Sequence, residues 1–536
     1  MEEYDYIIVG AGSAGCVLAE RLSRDGEHRI LILEAGGSDR RLWIKLPIGY
    51  GKTFYDERIN WKYETEPDHA FNGRKGYWPR GKVLGGSSSI NALVYCRGLP
   101  EDFDDWRDAG AQGWAWEDVR PHFEAIERHI AADGSVTGDG PLWITDVRER
   151  THRVNRHFFN AAREIGFSQT DDFNAAQPEG VGHYRITTRN GIRCSAADAF
   201  LRPALRRANV SLISRVMVHR ITFEGRRATG VDFRRDGQQV QIRARKEVIS
   251  SAGSVNSPKL LQLSGVGPGS LLRNQGIEVV VDNPHVGGGL QDHTAVTYFY
   301  KATEPTLNSE LLPWLGKVRA GMKYVLARRG PLSLSVNQCG GFVRSTPDAV
   351  RPDMQLYFNP LSYTTAPAGK RPLVTPDPFP GFQISSQPCR PTSQGRIDIQ
   401  SPDPDIAPKI ETNYLSTGKD LDDVVAAGHL IQSLVQTDAL KTLIAEPVGE
   451  DVTTYSDEDI VEDFRARSGT VFHPVSTCKM GKAQSDSVVD SDMKVHGLTG
   501  IRIVDASVFP NITSGNTNAP TLMLAHKVAD AILRDA

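Results

Sequence analysis

Apolar residues in this chain fall into short unbroken runs that end in glycine-rich turns, the pattern of parallel strands covered on both faces. Tyr6-Ile7-Ile8-Val9 is one such run and Ile30-Leu31-Ile32-Leu33 is another. Between them, Gly10-Ala11-Gly12-Ser13-Ala14-Gly15 leads into a helical pattern with Val17, Leu18 and Leu22 on one side, so the chain is predicted to open with a βαβ unit. The runs at 248–253 and 501–505 have the same texture and predict distant strands of the same sheet. Residues 156–190 read as mixed helix and loop. From 300 to 464 there are Pro-rich loops such as 375–380, and alternating segments at 354–358 and 395–399 that predict antiparallel strands. Near the C-terminus, Ala525, Val528, Ala529, Ile532 and Leu533 recur at helical spacing and predict an amphipathic helix. The expected fold class is α/β plus α+β. A discontinuous Rossmann-like nucleotide domain takes 1–155, 191–299 and 465–536, and a second domain, an antiparallel sheet with helices, takes 156–190 and 300–464.

Length alone would suggest about three to four domains, and the discontinuous pattern reduces that to two. A chain 39% hydrophobic and 24% charged is an ordinary globular one, which excludes a disordered protein. Lys plus Arg (62) nearly cancels Asp plus Glu (65), so no field for nucleic acid is built in. The short basic clusters at 206–207, 226–227 and 243–246 read as solvated faces. Six cysteines without a CxxC or a histidine at ligand spacing predict a reduced chain with no metal site. The acidic start Met1-Glu2-Glu3-Tyr4-Asp5 and the absence of any apolar stretch of about 18 residues predict no signal peptide, no spanning helix and a cytoplasmic location. Peripheral membrane contact stays open. Glycine is the surplus, at 50 of 536 residues, above an average of about 7%.

The glycines cluster where chemistry would need them. In the first turn Gly10 allows the bend, Gly12 lets a pyrophosphate approach the backbone and Gly15 lets helix pack on strand. Glu34, 19 residues after Gly15, ends the second strand, where a carboxylate accepts bonds from ribose hydroxyls and disfavours a 2′-phosphate. A nucleophile elbow at Ala11-Gly12-Ser13-Ala14-Gly15 would make a serine hydrolase of the same residues, but it leaves Glu34 and the later glycines without a role. A second cluster, Gly81-Lys82-Val83-Leu84-Gly85-Gly86-Ser87-Ser88-Ser89-Ile90-Asn91, offers backbone and hydroxyl donors to a large polar ligand. Taken alone it is also a plain surface turn. A third, Gly253-Ser254-Val255-Asn256-Ser257-Pro258, continues as a helix over 259–263 and closes at Gly265-Val266-Gly267; alone it is only a capped helix.

In this order and spacing the three segments resemble the glucose-methanol-choline (GMC) oxidoreductase family of FAD enzymes, on its bacterial alcohol and choline dehydrogenase side. The resemblance continues through His473-Pro474 to Gly481 and over 505–524. It implies an FAD site built from Gly10, Gly12, Ser13, Ala14, Gly15, Glu34 and Ala35; from Arg80, Gly85, Gly86, Ser87, Asn91, Ala92, Leu93 and Val94; from Val218, Ala252 and Gly253; and from Asp505, Ala506, Asn516 and Thr517. Val218 is expected against adenine, Asp505 near the ribityl or pyrophosphate, and Asn91 and Val94 near the isoalloxazine. Some family members attach FAD through a His before the Leu-Gly-Gly core. Arg80 stands there here, so noncovalent FAD is expected.

The implied reaction is oxidation of an uncharged, primary alcohol by hydride transfer to flavin N5. His473 takes the hydroxyl proton and Asn516 holds the oxygen, with Asn518 as the competing assignment for the amide. Either asparagine would also cap the last helix, whose positive end favours reduced, anionic flavin. Electrons would pass to O2, a quinone or another non-nicotinamide acceptor; an oxidase releasing H2O2 and a non-redox lyase of the hydroxynitrile type are the alternatives. Gln355, Tyr357, Phe358 and Phe472 are the candidate substrate pocket. Asp353 is the one acid in 352–359, so choline is not favoured. Gly289 departs from the Asn usual in relatives, His293 is expected to be structural, and oligomeric state stays open.

Overall fold

The computed structural model describes residues 2–363 and 375–536. Its first sheet sets strands Val210–Ser214, Ile30–Glu34, Glu3–Val9 and Gln238–Ser250 side by side, with Ile501–Ile503 parallel to the end of the last of these. Ile7, Ile8, Ile30, Leu31, Ile32, Val248 and Ile249 are wholly buried, as the unbroken apolar runs require. The strand Gln238–Ser250 is bifunctional. Its second half continues the parallel sheet, while its first half pairs antiparallel with Arg227–Arg235, which in turn pairs with Val218–Glu224. Strands from positions 3, 210, 238 and 501 thus share one sheet, and the discontinuity expected from the sequence is present.

The second sheet is antiparallel, in the order Ile444–Pro447, Thr294–Ala302, Gly381–Pro388, Met354–Asn359, Cys339–Val343 and Gly180–His183. Thr294–Ala302 enters it before position 300, so this sheet takes six residues, 294–299, that the sequence reading grouped with the nucleotide unit. Met354–Asn359 and Gly381–Pro388 are buried along their whole length. Their alternation therefore sorts residues between two interior faces, one packed on helices and one on the cavity described below.

Two helices differ from expectation. Gly253–Leu263 begins six residues before position 259 and keeps Pro258 inside it. Proline cannot donate to the carbonyl four residues back, and the Thr477 hydroxyl donates to that Ser254 oxygen instead, at 2.7 Å. The final helix, Asn518–Arg534, is present as expected but is covered on more than one face: residues 519–526 are buried without interruption. It packs between Ser13–Leu22 and Trp116–Ile126. All six cysteines are free and buried. Among the described residues no helix is long and apolar enough to cross a membrane.

Candidate active site

The three glycine clusters meet. Gly10 takes φ +102°, a region open to glycine, and a Cβ there would lie 2.5 Å from the Ser251 carbonyl oxygen. Gly86 crosses Gly12 so closely that its own Cβ would fall 2.7 Å from Gly12 Cα. The backbone turns after Val9, around Gly86 and after Ser250 therefore touch one another, and they wall one end of a cavity of ≈ 440 Å³. The cavity then runs to the antiparallel sheet, where Tyr357, Asn359, Gln383 and Ser385 close it.

Of the residues expected to hold FAD, Gly15 and Gly85 alone do not line this space. Gly15 packs beneath the turn, its missing Cβ leaving room for Gly10 O, and Gly85 supports the second turn at φ +86°. Glu34 is buried and accepts from Ala11 N at 2.8 Å and Gly36 N at 2.7 Å. Burial outweighs those bonds and pushes its carboxyl up to about 7. Asp505 accepts from Gly253 N at 2.8 Å and Ser257 Oγ at 2.6 Å, tying the Ile501–Ile503 strand to the helix Gly253–Leu263. The donor set fits FAD: glycine turns with no Cβ in the way, helix N-termini at Ser13, Gly253 and Asn518, and a carboxylate at a strand end.

At the other end His473 is held from three sides. Asp292 Oδ1 accepts from its backbone N at 2.7 Å, while the other carboxylate oxygen accepts from the hydroxyls of Tyr414 and Thr470. The preceding Phe472 sits at φ +72°, a left-handed conformation kept in place by Thr470 Oγ1, which accepts from Phe472 N, and by Arg80, which donates to Phe472 O. Its ring packs edge-on to Phe54 and lines the cavity.

The ring nitrogens form a chain. His293 Nε2 lies 2.7 Å from the Cys389 carbonyl oxygen, which can only accept, so Nε2 of His293 carries its proton. His293 Nδ1 is then an acceptor and faces His473 Nδ1 at 3.0 Å, so His473 donates from Nδ1. The lone pair of His473 Nε2 is left pointing into the cavity, where Asn516 Nδ2 donates to it at 3.1 Å. Burial, then His293 and Arg80, hold the His473 pKa well below its usual value, and burial takes His293 down to about 4. Both rings are neutral at neutral pH. Asn516 Oδ1 is buried without a hydrogen-bond partner. Asn518 is placed differently: its Oδ1 accepts from Ser13 Oγ at 2.8 Å, at the glycine-turn end.

Two pocket expectations are corrected. Phe358 is on the opposite face of its strand from Tyr357 and stacks on Phe158 and Phe382 in the core. Gln355 has the parity of Tyr357, but it sits deeper, is fully buried and donates to Tyr184 Oη at 3.3 Å, without reaching the cavity. Tyr357 and Phe472 do line it. Several contributors were missed. Tyr50, Phe54, Trp61 and Tyr63 form an aromatic wall from a stretch without a motif. Arg193, fully buried, donates to Asn91 Oδ1 and Asn91 O, both at 2.7 Å, and so fixes the turn that follows the second glycine cluster. His293, expected to be structural, touches the imidazole of His473 that faces the cavity. The polar run Gln291-Asp292-His293 just before a strand with one buried face is the signal available for it.

Models of the GMC oxidoreductase family match residues 4–295 and 391–525 of the chain. An oxygen-dependent choline dehydrogenase of Vibrio vulnificus is 40% identical over 99% of this chain and 94% of its own length. An alcohol dehydrogenase [acceptor] of Pseudomonas putida is 39% identical over 99% and 96%. Among solved structures, pyridoxine 4-oxidase from Mesorbium loti superposes with a TM-score of 0.86 at 28% identity, covering 98% of each chain.

Proposed function

We propose a reaction from one premise: the chain belongs to the GMC oxidoreductase family and is an FAD-dependent oxidoreductase acting on CH–OH donors. The finer reading is oxidation of an uncharged primary alcohol to its aldehyde, with FAD held noncovalently. Bound FAD supplies the hydride acceptor. The chain's own part is proton handling and orientation. A substrate hydroxyl placed at His473 Nε2 meets an unprotonated nitrogen, which takes the proton as the C–H bond is broken. The Asn516 amide is next to the same nitrogen and holds the oxygen as negative charge grows on it. The observation that carries the reading is the chain from Cys389 O through His293 to His473, because it supports one tautomer, the one with its base facing the cavity.

Charge favours an uncharged substrate. Among the described residues no carboxylate lines the cavity beside His473, and the ionic side chain that does is Arg80, half-buried and drawn down to about 10 by desolvation. A quaternary ammonium group would meet that cation, with aromatic rings along the wall and the buried Asp292 behind Arg80 to offset it. Noncovalent attachment is supported by the same residue, since Arg80 offers no nucleophile where an attaching His would stand. Anaerobic mixing of the holoenzyme with a panel of alcohols tests the reading. Benzylic or aliphatic alcohols should bleach the flavin and choline should not. His473→Ala should keep FAD and lose bleaching by on the order of 10²-fold or more; bleaching at the wild-type rate rejects His473 as the base.

A further inference from the structure

The helix Trp314–Ala327 turns its apolar side outward. Trp314 is 74% exposed and Leu326 85%, and Leu315, Val318, Met322 and Val325 are exposed with them. At 3.6 residues per turn these six side chains fall within an arc of roughly 120°. Ala320 and Tyr324 are on the opposite side, buried, and Tyr324 Oη donates to Gly191 O at 3.1 Å, so the helix is docked by its back. The same spacing puts Lys317 on one flank of the stripe and Arg319 and Lys323 on the other. Arg328 and Arg329 follow, and no Asp or Glu occurs from Pro313 to Gly330. Among the described residues nothing packs on the stripe.

We propose that this segment is an interfacial helix that holds the protein on an anionic lipid surface. A wide apolar stripe with Trp and Leu, edged by cations, suits a helix lying in the plane of a bilayer, its apolar side among acyl chains and its charges at the headgroups. Charge also decides against a second copy as occupant. An isologous contact would bring the same five cations of each chain together with no acid of this segment between them, Glu310 on the preceding helix being within reach of Lys323 alone among the five. The placement is consequential. The turn Pro331–Ser333 packs on this helix and on Pro47–Gly49. Beneath them a small apolar cluster includes Tyr50, Val336 and Tyr363, which also line the catalytic cavity. The helix therefore sets that wall of the cavity next to the lipid. The lipid contact itself does not depend on the reaction proposed above.

Flotation of the FAD-loaded protein with vesicles tests this, using phosphatidylcholine alone and phosphatidylcholine with phosphatidylglycerol. The protein should float with the anionic vesicles, less with the neutral ones, and less again at high salt. Val325→Glu/Leu326→Glu and, separately, Lys317→Glu/Lys323→Glu should each cut the bound fraction about tenfold. Flavin absorbance and thermal unfolding should stay as in wild type, since all four side chains are exposed. Wild-type protein that fails to float with either vesicle overturns the proposal, as does undiminished flotation of Val325→Glu/Leu326→Glu. A dimer in solution that Val325→Glu/Leu326→Glu splits, with no vesicle binding by either form, gives the face to a second copy and also overturns it.

Discussion

Gly12 and Gly15 stand in one turn and serve opposite sides of it. A Cβ on Gly12 would meet nothing nearer than Ser251 O at 3.9 Å, whereas one on Gly15 would lie 1.9 Å from Gly10 O. Gly12→Ala should therefore leave the apoprotein's unfolding within ~0.5 kcal/mol of wild type. It should still weaken FAD binding by about tenfold, because the added methyl enters the cavity where a pyrophosphate approaches the backbone. Gly15→Ala should do the reverse, costing about 1–3 kcal/mol of stability as helix and strand are pushed apart. Thermal unfolding of apoprotein and FAD titration of each variant separate the two. His293 makes a similar point about position. It is a positioning residue, since it touches His473 and lies out of reach of substrate. His293→Leu removes the acceptor for His473 Nδ1, freeing the ring to take the other tautomer and present an N–H where a lone pair is needed. Flavin reduction should slow by on the order of 10²-fold or more with FAD retained. His293→Asn, which keeps an acceptor oxygen, should recover part of the rate. Equal rates for both variants and wild type would remove His293 from this role.

At the scale of elements, the helix Gly253–Leu263 owes its early start to a residue more than two hundred positions away. The Ser254 carbonyl, denied a backbone donor by Pro258, depends on Thr477 Oγ1, which is fully buried. Thr477→Val should cost about 1–3 kcal/mol by stranding that carbonyl, and Thr477→Ser should restore most of it. Adding Pro258→Ala to Thr477→Val should also return stability, since it gives the helix back its own donor. Chemical denaturation of the single and double variants measures the coupling. This long-range bond is why the sequence, which reads proline as a boundary, starts the helix late. Strand 354–359 shows a different limit. The alternation was legible and so was the antiparallel sheet, but proximity in sequence does not distinguish its two interior faces. Proximity accordingly puts Phe358 in the pocket, whereas its alternation with Tyr357 along the strand excludes it. For 314–327 periodicity reveals a stripe without saying which way it faces; only the burial of Ala320 and Tyr324 does.

Across the whole molecule, the nucleotide half was readable because each of its turns is local: glycines, a strand end and a helix start lie within a few residues. The His293–His473 contact joins segments far apart in the chain, the aromatic wall of 50–63 meets the site through distant partners such as Phe472, and no short pattern announces either. The same packing gives the protein a pH response. Burial holds His122, His183, His293 and His526 down at about 4, and His473 well below its usual value. In the unfolded chain each titrates near ~6.5. A histidine whose folded pKa is depressed contributes stability above the unfolded value and loses it as pH falls toward the folded one. Glu34 and Asp292 oppose this. Their carboxyls are raised by burial to about 7 and about 6, so the folded state binds those protons first and gains from acidification. The histidines outnumber the carboxyls, so unfolding takes up protons between pH ~6.5 and ~4, and thermal stability should fall across that window. Ribose hydroxyls donating to ionised Glu34 would hold its proton off, removing one opposing group. The fall should therefore be steeper for the FAD-loaded protein than for the apoprotein. Differential scanning of both forms at pH ~7 and ~5 checks the sign and the difference; an apoprotein that melts higher at the lower pH would mean that the buried carboxyls, not the histidines, dominate its acid response.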